Sequence, residues 1–250
     1  MSGMKPFNWE AVERIFLTSR PDSCPYLPNL NEQKLVTLIQ KGDSEGFAEL
    51  TNNGFRRSHD AAYQPICPDC QACQPLRVRA LDFQPNKTQR RLIRKYDALH
   101  LSLEAPVIDH EHWVLFTKYV QGRHGGGSMA NMTRQDFAAM VSDTPVKTKL
   151  LTWRKGSAEG PLVAACLADL LPDGLSAVYS YFSLNPSYPS LGTFVILSLI
   201  ATAAKAELPH VHLGYWVKGS KKMAYKAQFS PAEICINGAW QALPKNNENY

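Results

Sequence analysis

The fold of this 250-residue chain is constrained most strongly by the pattern of its second half. There, three runs of strand-forming residues are followed by an apolar helix and a further strand. The runs are LLTWR (150–154), LVAACLADLL (162–171) and SAVYSYFSL (176–184). The apolar segment begins near Ser190 and leads to the strand HVHLGYWV (210–217). A strand meander followed by a helix and another strand is typical of an α+β domain.

Shorter signals surround this core pattern. Helices are predicted from residue 109 to about 121 and from Thr133, which is a good N-cap residue. Between them, HGGG (124–127) is predicted as a flexible loop. A short helix at 221–227 and a strand at 233–236 are expected near the end, and two short strands near 14–18 and 76–82 are expected near the beginning.

Composition divides the chain into three parts. Residues 1–104 are rich in proline, cysteine and arginine and form a predicted N-terminal lobe, 105–240 form the α+β domain, and 241–250 are predicted to be a disordered tail. Hydrophobic residues make up 44% of the chain, which is enough for a sizeable core.

Several classes of protein are excluded by what the sequence lacks. The segment LGTFVILSLIATAA (191–204) is shorter than the ~17 to 25 residues that cross a bilayer, and the first residues contain no signal-peptide pattern. A cytoplasmic protein without membrane contact is therefore expected. No phosphate-binding G-x-x-x-x-G-K-[ST] loop and no G-x-G-x-x-G turn occur, so ATP and dinucleotide binding have no support.

Three of the six cysteines are spaced three residues apart in YQPICPDCQACQP (63–75). Thiolates at this spacing can converge on one metal ion or cluster, and the prolines stiffen the loop. Cys24, in another proline-rich loop, is the predicted fourth ligand, with Cys67, Cys70 and Cys73 as the others. Zinc, an iron-sulfur cluster and a metal-free cysteine knuckle are all compatible with the spacing. Cys166 and Cys235 lie in apolar strand patterns and are interpreted as core residues.

Positive charge is concentrated in one predicted helix. The net charge of the chain is +5, and KTQRRLIRKYDAL repeats its apolar residues at helical spacing, which leaves the cations on the solvated face. This face is either an ordinary soluble surface or a nucleic-acid-binding surface that tracks phosphates. The candidate phosphate-binding residues are Lys87, Arg90, Arg91, Arg94 and Lys95.

Six segments together carry a family resemblance. They are CPYLPNL (24–30), GFRRSHDAAYQPICPDCQACQPLRV (54–78), TQRR (88–91), QGRHGGGSM (121–129), YSYFSLNPSYPSLGTF (179–194) and HLGYWVKGSKKMAYKAQFSP (212–231). In this order they resemble the arginyl-tRNA protein transferase family, and more closely its bacterial aspartate/glutamate leucyltransferase branch. Eukaryotic relatives carry a cysteine pair where CPYLP has a single cysteine, and this difference leaves the identity of any metal open.

The resemblance implies a fold related to the GNAT acetyltransferases and a ribosome-independent transfer of an aminoacyl group from charged tRNA to a protein N-terminus. The implied partners are leucyl-tRNA and proteins that begin with Asp or Glu, which the reaction marks for proteolysis. The resemblance makes the five cations of the basic helix, from Lys87 to Lys95, the tRNA-binding candidates. An aminoacyl ester is already activated, so the chemistry requires no cofactor, while the cysteines can hold zinc or an iron-sulfur cluster. The enzyme must supply proximity, a neutral amine and stabilisation of the oxyanion.

Candidate residues follow from these requirements and from the matched motifs. An acidic acceptor calls for a cation, and arginine holds a carboxylate in bidentate fashion, so Arg56 and Arg57 are preferred. The start of the apolar helix, with Gly192, is expected to hold the acceptor end of the tRNA. The catalytic candidates are Tyr179, Tyr181, Gly192, Tyr215 and Lys218. The substrate-binding candidates are Phe55, Arg56, Arg57, Tyr63, Arg77, Trp216, Lys222 and Tyr225.

Three other functions remain open at this point. Arginyl transfer to the same acceptors differs only in the donor. An acetyl-CoA-dependent N-acetyltransferase would share the fold, although its phosphate-binding signature is not visible at 190–194. A non-enzymatic metal-containing nucleic-acid-binding module would explain the cysteines and the basic helix but not the motif HLGYWVKGSKKMAYK.

Overall fold

The computed structural model describes residues 14–124 and 128–244. The α-helices are Ser44–Asn52 (α1), Lys87–Lys95 (α2), His110–His124 (α3), Arg134–Ser142 (α4) and Leu191–Lys205 (α5), with 3-10 helices at Ser128–Asn131 and Ala224–Gln228. The strands are Leu17–Thr18 (β1), Asp22–Ser23 (β2), Asn31–Glu32 (β3), Lys34–Leu38 (β4), Arg56–Ser58 (β5), Ala61–Pro65 (β6), Cys73–Arg79 (β7), Leu99–Glu104 (β8), Thr148–Lys155 (β9), Leu162–Leu171 (β10), Gly174–Phe182 (β11), His210–Val217 (β12), Ala232–Ile236 (β13) and Ala239–Ala242 (β14).

A mixed eight-stranded sheet dominates the structure. Its strand order is β14-β13-β7-β12-β11-β10-β9-β8, and a smaller sheet has the order β1-β4-β6-β5. Within the described strands of the large sheet, every neighbouring pair is antiparallel except β11 and β12. Parallel strands need a crossover connection, and α5 provides it. The prediction of an α+β fold is confirmed to the extent that helices and a large mixed sheet form the structure.

The apolar sequence of β10 reflects burial on both faces of the sheet. Nine of its ten residues are buried, and α1, α3 and α5 all contact it. A strand covered on both sides reads as a continuous apolar run rather than an alternating one. Rings from α3 and α4 pack on β11, where Phe116 stacks on Phe137 at 4.0 Å and meets Tyr181 edge-on at 5.9 Å.

The N-terminal part contributes strands to the large sheet. β7 lies between β12 and β13, and β8 forms the edge beside β9. A boundary at residue 104 therefore does not separate one sheet from another, and the predicted domain limits stay a prediction. Gln241 and Ala242 were assigned to a disordered tail but pair with Ile234 and Glu233 in β14, because the chain turns back along the edge of the sheet.

Other sequence expectations differ in detail. The predicted helix at 221–227 is a 3-10 helix, Ala224–Gln228, and α3 continues to His124. The expected glycine loop at 125–127 and the remaining tail, 245–250, lie outside the described residues. Thr133 caps α4 with a capping box formed with Asp136, as its sequence pattern predicts. None of the helices that the structure describes is long and apolar enough to cross a membrane.

Candidate functional site

The candidate site lies where the two parallel strands of the large sheet separate. β11 and β12 pair through only three residue pairs, of which Ser176 with His212 is the last. The carbonyl of the next residue, Ala177, accepts a hydrogen bond of 3.0 Å from Nη2 of Arg56 instead of one from β12. Arg56 comes from the smaller sheet and is only 7% exposed. A buried guanidinium therefore occupies the opening between the two strands.

Lys226 brings a second cation to the same place. It lies in the 3-10 helix Ala224–Gln228, is buried, and donates a hydrogen bond of 2.7 Å from Nζ to the carbonyl of Tyr215. A β-carbon placed on Gly214 would lie 3.7 Å from both Nζ of Lys226 and Nε of Arg56. Gly214 has φ +77°, a conformation that favours glycine. The two cationic side chains thus converge over one glycine of β12.

Neither cation has an acidic partner within the part of the chain that the structure describes. Burial, followed by the charge of Arg56, lowers the pKa of Lys226 to about 7. Burial also lowers the pKa of Arg56. Buried charges in proteins are normally paired, because an unpaired charge loses its hydration without compensation. The arrangement favours an anionic ligand.

Arg57 differs from its neighbour in this respect. Its Nε and Nη2 each donate a hydrogen bond of 2.8 Å to the carboxylate of Asp169 on β10, and the two side chains are 1% and 0% exposed. Thr148 donates a third hydrogen bond to the same carboxylate. Successive residues of a strand point to opposite faces, which explains why adjacent arginines have different surroundings. The charge of Arg57 is thus neutralised inside the protein.

The tyrosines predicted to line the site occupy two different environments. The hydroxyl of Tyr215 lies 3.0 Å from the carbonyls of both Gly54 and Tyr63, so it can donate to either. Tyr179 and Tyr181 point into the ring cluster of α3 and α4, and their hydroxyls are buried without a hydrogen-bond partner among the described residues. Burial raises the pKa of both, so their phenols stay neutral.

The four predicted cysteine ligands line one cleft of about 510 Å³, together with Tyr63 and Tyr215. Backbone N–H groups contact two of the thiols, from Leu27 to Cys24 at 3.4 Å and from Ala72 to Cys70 at 3.5 Å. Burial, followed by the charges of the other three thiols, raises the pKa of Cys73 to about 12.

The chemistry of this donor set fits a metal or an iron-sulfur cluster, which thiolates bind. The sulfur atoms of these cysteines lie farther apart than the ligand atoms of an occupied metal site. Among the described residues, only Asp173, His210 and His212 bring three ligand atoms within 4.8 Å of one another. The thiols would have to move together to share one centre, and the predicted metal stays a prediction.

The basic helix α2 is fully formed and solvated on its cationic side. A capping box between Asn86 and Gln89 begins the helix, and Gln89 also donates a hydrogen bond to the carbonyl of Gln228. The hydroxyl of Tyr96, at the end of α2, donates to the carbonyl of Pro189 just before α5. The basic helix therefore lies beside the beginning of α5. All five tRNA-binding candidates are exposed: Lys87, Arg90, Arg91, Arg94 and Lys95.

Gly192 has a packing role in this structure. A β-carbon at this position would approach the ring of Phe182 to 2.7 Å, so the space beside its α-carbon is occupied by that ring and not left open for a ligand. Ser190, the residue before α5, has a left-handed backbone conformation, and its side chain does not cap the helix. The first backbone N–H groups of α5 are therefore available to a ligand.

The remaining candidates are dispersed. Arg77 donates a hydrogen bond of 2.7 Å to Glu233 and stacks on Trp240, so it is committed to partners of its own. The structure buries Phe55 and Trp216, and it exposes Lys218, Lys222 and Tyr225.

Sequence reasoning did not select Lys226. A lysine in the run KKMAYKAQF, which mixes apolar and basic residues, has no local feature that predicts burial. The one signal that could have identified Lys226 is its position inside the motif HLGYWVKGSKKMAYKAQFSP, which carries the family resemblance.

Two protein-family models match this chain. Residues 22–91 match the model of the arginine-tRNA-protein transferase N terminus, and residues 111–236 match that of its C terminus. A protein from Rhizorhabdus wittichii named aspartate/glutamate leucyltransferase is 45% identical over 232 residues, which are 91% of this chain and 87% of the relative. One of the same name from Jannaschia sp. is 44% identical over 229 residues, 91% of this chain and 80% of the relative.

Among solved structures, L-PGS from Bacillus licheniformis matches with a TM-score of 0.49 and 11% identity, covering 69% of this chain and 59% of that one. A similarity of this size assigns no fold. The two family models and the close relatives are sufficient without it, and they show that the chain belongs to the arginine-tRNA-protein transferase family.

Proposed function

We propose that this protein transfers leucine from leucyl-tRNA to the N-terminal Asp or Glu of other proteins and so marks them for N-end-rule proteolysis. The names of its relatives, at 40–45% identity over most of the chain, support this donor and these acceptors. The preference for acidic acceptors is supported by one structural observation. Arg56 and Lys226 are a pair of buried cations without an acidic partner among the described residues.

The reaction needs no energy source beyond the donor. The neutral α-amine of the acceptor attacks the ester carbonyl of leucyl-tRNA, a C–N bond forms, and the C–O bond to the terminal ribose breaks. The amine loses a proton and the ribose hydroxyl gains one, so the step is balanced without ATP. The enzyme contributes alignment of the two substrates and hydrogen bonds to the oxyanion.

We assign the acceptor carboxylate to the opening between β11 and β12. Arg56 has further N–H donors beyond the one that binds the carbonyl of Ala177, and Lys226 has further ammonium protons beyond the one on Tyr215. A carboxylate placed over Gly214 would contact both cations and neutralise part of their charge. Such a site discriminates Asp from Asn because an amide leaves two buried cations unpaired. Arg57 takes the supporting role of holding the strand through Asp169.

We assign the tRNA to the exposed side of α2 and the beginning of α5. Five exposed cations on α2 favour phosphate contacts, and the hydrogen bond from Tyr96 to Pro189 holds this helix next to the start of α5. A helix start offers unpaired N–H groups to a phosphate. The donor end would therefore approach the strand opening from the side of α2.

We further propose that the large sheet is a GNAT-like fold and that the smaller sheet with its cysteines forms the N-terminal lobe. The parallel strands β11 and β12 that separate after three pairs, with α5 as their crossover, support this assignment. If a metal fills the cysteine cleft, Cys24, Cys67, Cys70 and Cys73 would hold it. It would supply a structural cross-link, and no step of the transfer passes through it. Leucyl-tRNA is a cytoplasmic donor, so we place the reaction in the cytoplasm.

A transfer assay tests the proposed function directly. Purified protein receives pre-charged leucyl-, arginyl- or phenylalanyl-tRNA and peptides that begin with Asp, Glu, Asn, Gln, Lys or Ala, without nucleotide. We expect product from leucyl-tRNA with Asp and Glu peptides alone. Preferred arginyl transfer would contradict the donor half, and equal use of Asp and Asn would contradict the acceptor half. Product that requires acetyl-CoA would identify an N-acetyltransferase instead.

Arg56→Gln tests the acceptor site within the same assay. The variant keeps hydrogen-bond donors but removes the charge, so the apparent KM for acidic peptides should rise by about tenfold or more while the affinity for tRNA is unchanged. Arg134→Gln is the matched control, because it removes an exposed guanidinium from α4, which has no assigned role in binding either substrate. If Arg56→Gln instead weakens tRNA binding, the cation pair belongs to the donor side.

A further inference from the structure

A second cluster of polar side chains lies at the other end of the short parallel pairing. Asp173, in the turn between β10 and β11, faces the two histidines of β12. Its Oδ2 lies 3.3 Å from Nδ1 of His210 and 3.8 Å from Nε2 of His212. Among the described residues, this is the one group whose three ligand atoms all lie within 4.8 Å of one another.

Two atoms of this cluster are buried without partners in the described structure. Nε2 of His212 and Oδ1 of Asp173 have no hydrogen bond, and His212 is only 1% exposed. Buried polar atoms are almost always satisfied by protein, water or an ion. An imidazole nitrogen that is buried, unpartnered and directed at a carboxylate and a second imidazole indicates a ligand between them.

A carboxylate stands behind one of the histidines. Nε2 of His210, on the far side of the ring from Asp173, lies 3.8 Å from Oε2 of Glu233. Histidine ligands commonly donate their second N–H to such a carboxylate, which fixes the tautomer and orients the ring. The separation of 3.8 Å is longer than a hydrogen bond, so the ring of His210 would have to turn toward Glu233 to make this contact. The arrangement would leave Nδ1 of His210 with a lone pair for a metal.

The charges of the cluster suit a cation. Arg77 lies 3.8 Å from Asp173, but its Nε donates at 2.7 Å to Glu233 and its guanidinium stacks on Trp240 at 4.2 Å. One arginine and two carboxylates leave a net charge of −1 with neutral histidines. This balance is the opposite of that at Arg56 and Lys226, where two cations lack an acid.

We infer that Asp173, His210 and His212 form a binding site for a divalent transition-metal ion, with Glu233 as the positioning residue for His210. Two imidazole nitrogens and one carboxylate oxygen are a common ligand set for zinc, and they leave a fourth position for water. Asp173 is 27% exposed, so the ion can enter from solvent. The ion would join β12 to the β10–β11 turn beside the first residue pair of the parallel strands, Gly174 with His210.

Zinc titration of the full chain tests this site. Protein stripped with a chelator is titrated with zinc against a chromophoric competitor, and cobalt spectra separate this nitrogen-and-oxygen site from the cysteine cleft, since only thiolates give intense charge-transfer bands. Asp173→Asn and His210→Gln should each weaken one zinc site by more than about 100-fold, and Glu233→Gln should weaken it by about 10- to 100-fold. His110→Gln, at an exposed histidine of α3, is the matched control and should bind as the wild type does.

Thermal unfolding provides a second measurement that does not depend on transfer activity. Zinc should raise the Tm of the wild type and of His110→Gln by more than it raises that of Asp173→Asn, because an ion that binds only the folded state stabilises it and the variant keeps only the cysteine cleft. Circular dichroism of the metal-free variants shows whether each one folds. If Asp173→Asn does not fold, His210→Gln replaces it in the thermal measurement. Equal zinc stoichiometry and affinity in the wild type and in both ligand variants would overturn the inference.

Discussion

Replacing Lys226 by methionine should make the protein more stable and less active at neutral pH. Lys226 is buried without an acid among the described residues, and burial lowers its pKa from 10.5 to about 7. At pH 7 Lys226 is fully protonated in the unfolded chain, whereas in the folded chain it is protonated about half of the time. By linkage, burying the lysine therefore costs roughly 4 kcal/mol at pH 7. Methionine has a similar length and removes this cost.

The substitution also removes a favourable contact. The ammonium donates a hydrogen bond of 2.7 Å to the carbonyl of Tyr215, and a charged hydrogen bond contributes about 2 kcal/mol. The variant should thus be more stable than the wild type by about 2 kcal/mol at pH 7. Between pH 7 and pH 10.5 the unfolded state binds more protons here than the folded state, so the wild type gains stability as the pH rises. At pH 9 we expect the two proteins to differ by less than about 1 kcal/mol.

Urea denaturation at pH 7 and pH 9 measures both differences, and the transfer assay measures the loss of function. The apparent KM of Lys226→Met for acidic acceptors should rise by about tenfold or more, because the acceptor carboxylate loses one of two cations. Lys221→Met, at an exposed lysine of the same segment, is the control and should change neither quantity. A variant that is less stable than the wild type at pH 7 and keeps its KM would show that Lys226 is structural, and the reasoning would be wrong.

Three further predictions concern other parts of the molecule. The first replaces four exposed cations of α2 by glutamine: Arg90, Arg91, Arg94 and Lys95. The variant should bind tRNA more weakly across isoacceptors, and the salt dependence of binding should fall by about one unit of slope per lost phosphate contact. Unchanged affinity in a filter-binding assay would argue against a tRNA-binding surface on α2. Asp169→Asn should lower the free energy of unfolding by about 3–5 kcal/mol in urea, since it leaves Arg57 charged and buried; a loss below 1 kcal/mol would contradict this. Gly192→Ala should cost about 1–3 kcal/mol because its β-carbon meets Phe182, and a selective rise in KM at unchanged stability would favour a ligand at this glycine instead.

Several strands of the large sheet could be predicted from the sequence, because local patterns of apolar residues determine where they begin and end. β10 matches its predicted limits of 162–171, and β12 matches 210–217. β10 is a nearly continuous apolar run, and β12 is rich in the β-branched and aromatic residues that favour strands. The helix at Ala224–Gln228 was predicted too long and of the wrong type, because its length depends on packing of the buried Lys226 and Phe229. β14 was missed because a four-residue edge strand has little pattern of its own.

The class of fold, the family and the basic surface can be read from the chain alone, because apolar periodicity, ordered motifs and charge are local properties. Which side chains share a site depends on how the strands and helices pack. This packing separated Arg56 from Arg57 by giving one an opening between strands and the other a partner in Asp169, which is 112 residues away in the chain. It also brought Lys226 to Gly214 and Asp173 to the histidines of β12. Burial and pairing of charges depend on long-range strand order, and no local pattern encodes them.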